Sequence, residues 1–456
     1  MSAGPAEPAP TGRLLSVLGL AFGLAGSVGG TIGAGILRTP GLVAAQLPSA
    51  PLVIGAWLLG GLYALLGAVC IAELAASLPR AGGWYVYAER AFGRRAGALV
   101  GWTDWLAHCI GLAWVATTAG DLLAALLPQA PSQALALLIL ALFTGIQLLG
   151  VRAGGTSQQL LSLAKAAAFH GLVAVCFLRP SPFHPEPVAS GLGTAPGGLA
   201  LAGVLALQAV ITTYDGWASP VYFAEEFSDP THDLPRSLIG GVLAVLALYL
   251  LINLALLHVL PLRLLAQSTL PAADAARALL GPAGGGVITA VALVALLGLI
   301  NTVVMAAPRI LYGLGRDGLL PAFLAGVNAG GTPLPALLIT AGGAALLVLA
   351  GSFERLLGMG AFLYVGLPLV GVTALLWLRR QEPDLPRPFH SWAHPLPALL
   401  VGGVSLAFLL AALWSDSLNS LLALALAAAG SALLQQGPGL AQAAGLTEVA
   451  GEGDHR

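Results

Sequence analysis

The sequence predicts an all-α integral membrane protein with twelve transmembrane helices, and three observations carry that prediction. The first is composition. Of the 456 residues, 57% are hydrophobic and only 9% charged, against roughly 45–50% and about 25% in soluble proteins, so the chain lacks the charge to build a wetted surface. The second is the length of its apolar blocks, since a hydrocarbon core of about 30 Å is crossed by roughly 20 residues of helix. The third is the placement of basic residues, which are retained on the cytoplasmic side of a membrane.

Taken in order, the blocks fall at residues 14–37 and 51–72, neither holding a single charge, then near 96–126, 132–151, 156–178, 197–224, 237–260, 283–308, 334–352, 356–378, 395–414 and 418–434. Twelve spans put both termini on one side. With that side inside, Arg13, Arg80, Arg90, Arg94, Arg95, Arg152, Arg236, Arg309, Arg316, Arg379, Arg380, Arg387 and Arg456 are cytoplasmic. Arg179, Arg263, Arg277 and Arg355 are outside, and Arg38 and Lys165 lie within apolar segments. This predicts a multi-pass plasma membrane protein of bacterial inner-membrane type with both termini cytoplasmic. The organisation expected is a cytoplasmic tail over 1–12, one transmembrane domain over 13–434 and a cytoplasmic tail over 435–456. The first span is too long and too glycine-rich for a cleaved signal. Cys70, Cys109 and Cys176 sit in apolar blocks and form no disulfide framework. The net charge of -1, with no basic stripe, gives no reason to expect nucleic acid.

Two spans depart from plain membrane helix. Residues 26–35 read GSVGGTIGAG, five glycines in ten, and residues 212–220 read TTYDGWASP. Glycine and proline weaken a helix interior, and broken backbone at membrane depth is tolerated only where it lines a cavity. In secondary transporters such breaks present free amides to an anion and free carbonyls to a cation, and an amino acid zwitterion carries both charges within a few ångströms. Close helix packing by small residues is the other reading of the first segment. The two breaks fall in spans one and six, which correspond if 14–178 and 197–378 are inverted repeats and 395–434 holds two added helices.

Lys165, the single lysine, stands in the middle of span five. Unlike arginine, lysine loses its proton when desolvated, and an ionisable residue inside the membrane marks function by default. The readings are a coupling group or fixed charge, and a structural salt bridge to Asp104 or Asp121. Asp215 either neutralises a cation or caps the second half-helix. Glu73 and the pair Glu225 and Glu226 belong to cytoplasmic ion-pair networks. His108, His170 and His258 are isolated, with no metal-ligand spacing and no nucleophile motif; each reads as a packed or cavity-lining histidine. No enzyme, metal or cofactor is therefore expected, and no selectivity-filter run suggests a channel.

These residues resemble the amino acid/polyamine/organocation (APC) superfamily, and within it the L-type amino acid transporter branch. The resemblance runs through GTIGAGI at 30–36, YDGW at 214–217 with Glu225 and Glu226, DPTHDLPR at 229–236, GRDGLLP at 315–321 and EPDLPRP at 382–388. It implies a five-plus-five inverted repeat plus two helices, with spans 1 and 6 unwound, and amino acid transport by alternating access. That transport is proton-coupled symport or exchange, with a polyamine or cationic antiporter and a transporter-like sensor as alternatives. It implies substrate contacts at Thr31, Ile32, Gly33, Ala34, Gly35, Thr213, Tyr214, Asp215, Gly216, Trp217, Asn301 and Thr302. Ala34 and Gly35 would offer N–H to the carboxylate, and Thr31, Ile32, Thr213 and Tyr214 would offer carbonyls to the ammonium. Lys165 would be the coupling residue. The partners implied are an amino acid, the lipid bilayer and, in a coupled cycle, protons. L-type members place a gating phenylalanine where this chain has Thr212, so a bulky neutral substrate does not follow. Relatives with a disulfide-linked heavy subunit present a cysteine between spans three and four; residues 127–132 have none, so no such subunit is expected.

Overall fold

A computed structural model describes residues 13–127, 129–183, 198–350 and 353–435; the expected tails, 1–12 and 436–456, lie outside them. Among the described residues the chain is helical throughout and forms no strand, only an isolated bridge between Leu18 and Phe227. The first apolar block does not make one rod. Its glycines end α1 (Leu20–Thr31), and α2 (Gly35–Gln46) leaves at 49° to it. Helix α2 runs past the predicted boundary at residue 37 because its Pro40 interrupts one hydrogen bond without ending the helix.

Then come α3 (Ala50–Ser77), a short α4 (Trp84–Phe92), α5 (Arg94–Leu126), α6 (Ser132–Leu148) and α7 (Val151–Leu178). The second half opens with α8 (Gly198–Tyr214), which stops at the second glycine break, followed by a 3-10 helix over Ser219–Glu226. Helix α9 (Pro230–Val259) starts on Asp229, whose carboxylate accepts from the His232 amide and caps it. Two small helices, α10 (Leu262–Gln267) and α11 (Pro271–Leu280), lead to the 34-residue α12 (Ala283–Arg316), and α13 (Leu334–Ala350), α14 (Phe353–Gln381), α15 (Leu396–Ser415) and α16 (Ser417–Gln435) complete the chain. Helices α4, α10 and α11 were not legible as apolar blocks. They are amphipathic or short, and α11 turns a row of alanines, Ala272, Ala273, Ala275 and Ala276, inward.

Among the described residues eight helical segments, one of them the run Gly198–Glu226, are long and apolar enough to cross a membrane, and the bent α1–α2 pair qualifies as a ninth; α6, α13 and residues 417–430 of α16 are apolar but shorter. A 28-residue helix such as α3 is about 42 Å long at about 1.5 Å per residue, more than the hydrocarbon core needs. The outward faces carry leucine: Leu138 on α6, Leu160 and Leu163 on α7, and Leu346 on α13 are all exposed. A surface of this kind suits lipid and not water. The buried ion pairs gather at one end. Glu73 accepts from the Ser391 amide (2.7 Å) and pairs with Arg379 and Arg387. Arg309 grips Glu226 with two hydrogen bonds of 2.9 and 3.0 Å, both side chains fully buried. Arg316 pairs with Glu225 and Asp317, and Arg80 reaches Asp317 at 2.6 Å. Burial alone would raise the Asp317 carboxyl, but the guanidiniums of Arg316 and Arg80 outweigh it and hold the group below the usual carboxylate range. Glu73, Glu225 and Glu226 are thus all in ion pairs that tie distant segments together.

Candidate functional site

The two breaks meet. Gly216 has φ +99°, a conformation that favours glycine, and a Cβ placed there would stand 2.2 Å from the Gly30 carbonyl oxygen. Backbone therefore lies directly on backbone, and no side chain fits between. Each break is then held from outside. Lys165, fully buried on α7, donates from Nζ to the carbonyls of Gly29 (2.9 Å) and Ile32 (2.5 Å). These are carbonyls of the last turn of α1, where the helix dipole favours a cation. Tyr249 on α9 places its hydroxyl 3.2 Å from both the Thr31 and the Thr213 carbonyls, one from each break. At the second break neutral hydroxyls serve the carbonyls: Ser219 donates to Gly216 (2.6 Å) and Ser27 reaches over from α1 to Trp217 (3.0 Å), while the Tyr214 hydroxyl ties the break to the Trp57 carbonyl on α3 (3.2 Å).

A cavity of about 190 Å³ opens beside this seam. Gly30, Thr31, Gly33, Ala34 and Gly35 line it from the first break, and Thr212, Thr213, Tyr214, Asp215, Gly216 and Trp217 from the second, with Thr302 on α12. The first-turn amides of α2 have no intrahelical acceptor and lie at this wall. Ten of the twelve predicted contact residues are thereby brought together. Ile32 and Asn301 are not. The Ile32 side chain is fully buried outside the lining and its carbonyl is taken by Lys165, so it is not free for an ammonium. Asn301 faces away from the cavity into a polar knot, accepting from Gln147 (3.0 Å) and donating to Gln158 (2.7 Å). Gln158 in turn donates to the Ala25 carbonyl (3.1 Å), so Asn301 braces α1 from behind.

The alternatives left open by the sequence divide as follows. Lys165 has no carboxylate within salt-bridge distance among the described residues, because Asp104 is engaged by His108 and Tyr222 and Asp121 is exposed. Asp215 caps no helix; the 3-10 segment begins at Ser219 with Ala218 before it and no side-chain cap, and Asp215 faces the cavity instead. Arg38 is exposed on α2. Of the three histidines His108 lines the cavity, whereas His170 and His258 are exposed on outer helix faces, where an isolated helix position gives no clue to direction. Sequence reasoning missed much of the remaining lining, including Tyr63 on α3, Gly111, Trp114 and Val115 on α5, Leu299 and Val303 on α12, and Tyr364 on α14. The one available signal was that polar aromatics such as Tyr63 and Tyr364 are rare in otherwise aliphatic spans. Among the described residues no group of acidic, histidine and cysteine side chains could hold a metal ion.

Comparison with known proteins identifies the family. A family profile described as amino acid permease matches residues 13–429. The serine/threonine exchanger SteT of Bacillus subtilis is 28% identical over 313 residues, covering 67% of this chain and 69% of its own. Asc-type amino acid transporter 1 of Mus musculus is 30% identical over 378 residues, 79% of this chain and 70% of its own. The large neutral amino acids transporter small subunit 2 of Homo sapiens is 28% identical over 406 residues, 85% of this chain and 74% of its own. These relatives are transporters and not enzymes. Because the profile spans nearly the whole helical chain, including both breaks and the cavity between them, the chain belongs to the amino acid permease family.

Proposed function

We propose that this amino acid transporter works as an exchanger in the plasma membrane, alternating the access of the cavity between the two helix breaks. The observation that carries the reading is the cavity itself, with unbonded amides of α2 on one wall and carbonyl-rich turns on the other. That arrangement suits a zwitterion. Its carboxylate would lie against the amides of Ala34 and Gly35, and its ammonium against the carbonyl side formed by Thr31, Thr213 and Tyr214. Asp215, Gly216, Trp217, Gly33 and Thr302 would shape the remainder.

In this reading the long helices, the bent pair and the three shorter apolar helices make twelve spans in a five-plus-five inverted repeat with two added helices. Spans 1 and 6 are unwound in the middle, and both termini are cytoplasmic. The ion pairs of Glu73, Glu225 and Glu226 open and close the cytoplasmic side. No cysteine between α5 and α6 is available to a covalent partner, so the chain acts without a disulfide-linked subunit.

Lys165 fixes the first break as a constant charge. A second reading, proton symport with Lys165 as the coupling group, is favoured by one observation: no carboxylate accompanies it, so loss of its proton leaves no buried anion behind. Counterflow of labelled amino acid in proteoliposomes, with and without a pH gradient, separates the two. Exchange needs an internal amino acid and ignores the gradient; symport proceeds into empty vesicles and follows it. Absence of any amino acid flux would reject both.

A further inference from the structure

One buried polar pair beside the cavity has no part in the arrangement described so far. His108 and Asp104 are one turn apart on α5, and both are almost wholly inaccessible, His108 at 5% and Asp104 at 0% exposure. The His108 Nδ1 lies 2.9 Å from the Asp104 backbone carbonyl and 3.1 Å from its carboxylate Oδ1. Both neighbours are acceptors, so Nδ1 carries the proton. Tyr222 donates to the same Oδ1 at 3.0 Å.

The ring is clamped as well as bonded. Tyr222 and Tyr364 meet it edge to face with centroids 4.9 and 5.5 Å away. Gly111, one turn further along, makes room for this, since a Cβ there would stand 2.7 Å from the Tyr364 hydroxyl. With Nδ1 committed, the free nitrogen is Nε2, and no hydrogen bond reaches it among the described residues while His108 lines the cavity. The same cavity is lined by apolar side chains, among them Val115, Leu296, Leu299 and Val303, and by Asp215 and Tyr364.

We propose that His108, positioned by Asp104 and Tyr222, is a side-chain recognition site that selects amino acids bearing a hydroxyl group. This rests on the transport reading above and names its substrate class. The logic is one of matched groups. Nε2 accepts a hydrogen bond when the ring is neutral and donates one when it is charged, and a hydroxyl is able to answer either state. An ammonium answers only the first and a carboxylate only the second. A purely aliphatic side chain leaves Nε2 buried without a partner, and sites built around a polar group reject such analogues more strongly than apolar pockets reject an extra hydroxyl.

The test compares isosteres that differ only in the hydroxyl: serine against 2-aminobutyrate, and threonine against valine. Each is measured as a competitor of labelled serine, both for binding to the full detergent-solubilised chain and for counterflow in proteoliposomes. The expected preference for the hydroxyl member is about tenfold. In His108→Leu the ratio falls to about one, and in His108→Gln, which keeps a hydrogen-bonding group, it recovers in part. Asp104→Asn retains an acceptor for Nδ1 and holds most of the preference, whereas Asp104→Leu frees the ring and loses it. Equal binding of the isosteres by the wild-type chain, or an unchanged ratio in His108→Leu, overturns the proposal. A hydroxyl preference in binding without counterflow leaves the recognition site standing and overturns the exchange reading instead.

Discussion

The two helix breaks differ in sequence, five glycines in ten residues against the single glycine of TTYDGWASP, and they are held in different ways. At the first, a cation from another helix, Lys165, enters the turn and takes two of its carbonyls. At the second, Ser219 within the turn, Ser27 from α1 and Tyr249 from α9 bond its carbonyls with neutral hydroxyls. A backbone turn held by neutral hydroxyls keeps its geometry whatever charge arrives. One held by a buried ammonium is coupled to any charge that enters the cavity beside it. We therefore expect α1 to be the responsive part of the site and α8 its scaffold, with Tyr249 bonded to both.

The largest effect is expected where both breaks depend on one atom. Gly216→Ala places a Cβ against the Gly30 carbonyl in a left-handed backbone conformation, and loss of folded protein is expected, read as disappearance of the monodisperse peak in detergent chromatography. Normal yield would mean that the breaks are not in register as described. Next is Lys165→Ala, which strands two buried carbonyls at a cost of about 1–3 kcal/mol each. Counterflow is expected to fall by about a hundredfold, with a lower melting temperature that added substrate does not restore. Wild-type flux in this variant would break the comparison outright.

Tyr249→Phe removes the single hydroxyl shared by Thr31 and Thr213. One modest hydrogen bond is worth about 1 kcal/mol, so substrate affinity is expected to weaken by about fivefold, measured by competition binding. The smallest effect belongs to Ser219→Ala, because the Ser219 amide still reaches the Gly216 carbonyl at 3.2 Å after the hydroxyl is gone. A melting shift with affinity changed by less than about twofold is the expected result. An effect as large as that of Lys165→Ala would erase the distinction between responsive and scaffold halves.

Particular residues show what could be foreseen. Gly26, Gly29, Gly30, Gly33 and Gly35 announced a break because five glycines in ten residues weaken a helix, and Lys165 announced itself as the sole lysine in an apolar block. Asn301 misled, since its position near Thr302 said nothing about which of them turns to the cavity; a helix places successive residues about 100° apart, and Asn301 found Gln147 and Gln158 on the other side. His170 and His258 misled for the same reason. The pair Asp104 and His108 was legible as an i,i+4 combination, but each was read separately, Asp104 as a partner for Lys165. Helices α4, α10 and α11 escaped because they are too short to register as apolar blocks.

By itself the sequence determined the solvent this protein requires, the order of its apolar blocks, and the two places where glycine interrupts them. Those follow from composition and from backbone sterics, which act locally and need no partner. The tertiary structure alone decided that the two interruptions touch, that the Lys165 ammonium enters one of them and hydroxyls serve the other, and that His108 and Tyr364 stand at the cavity wall while Asn301 stands behind it. Each of these depends on how helices distant in sequence are rotated against one another, and an apolar block carries little record of its own rotation when every face of it is leucine, alanine or valine.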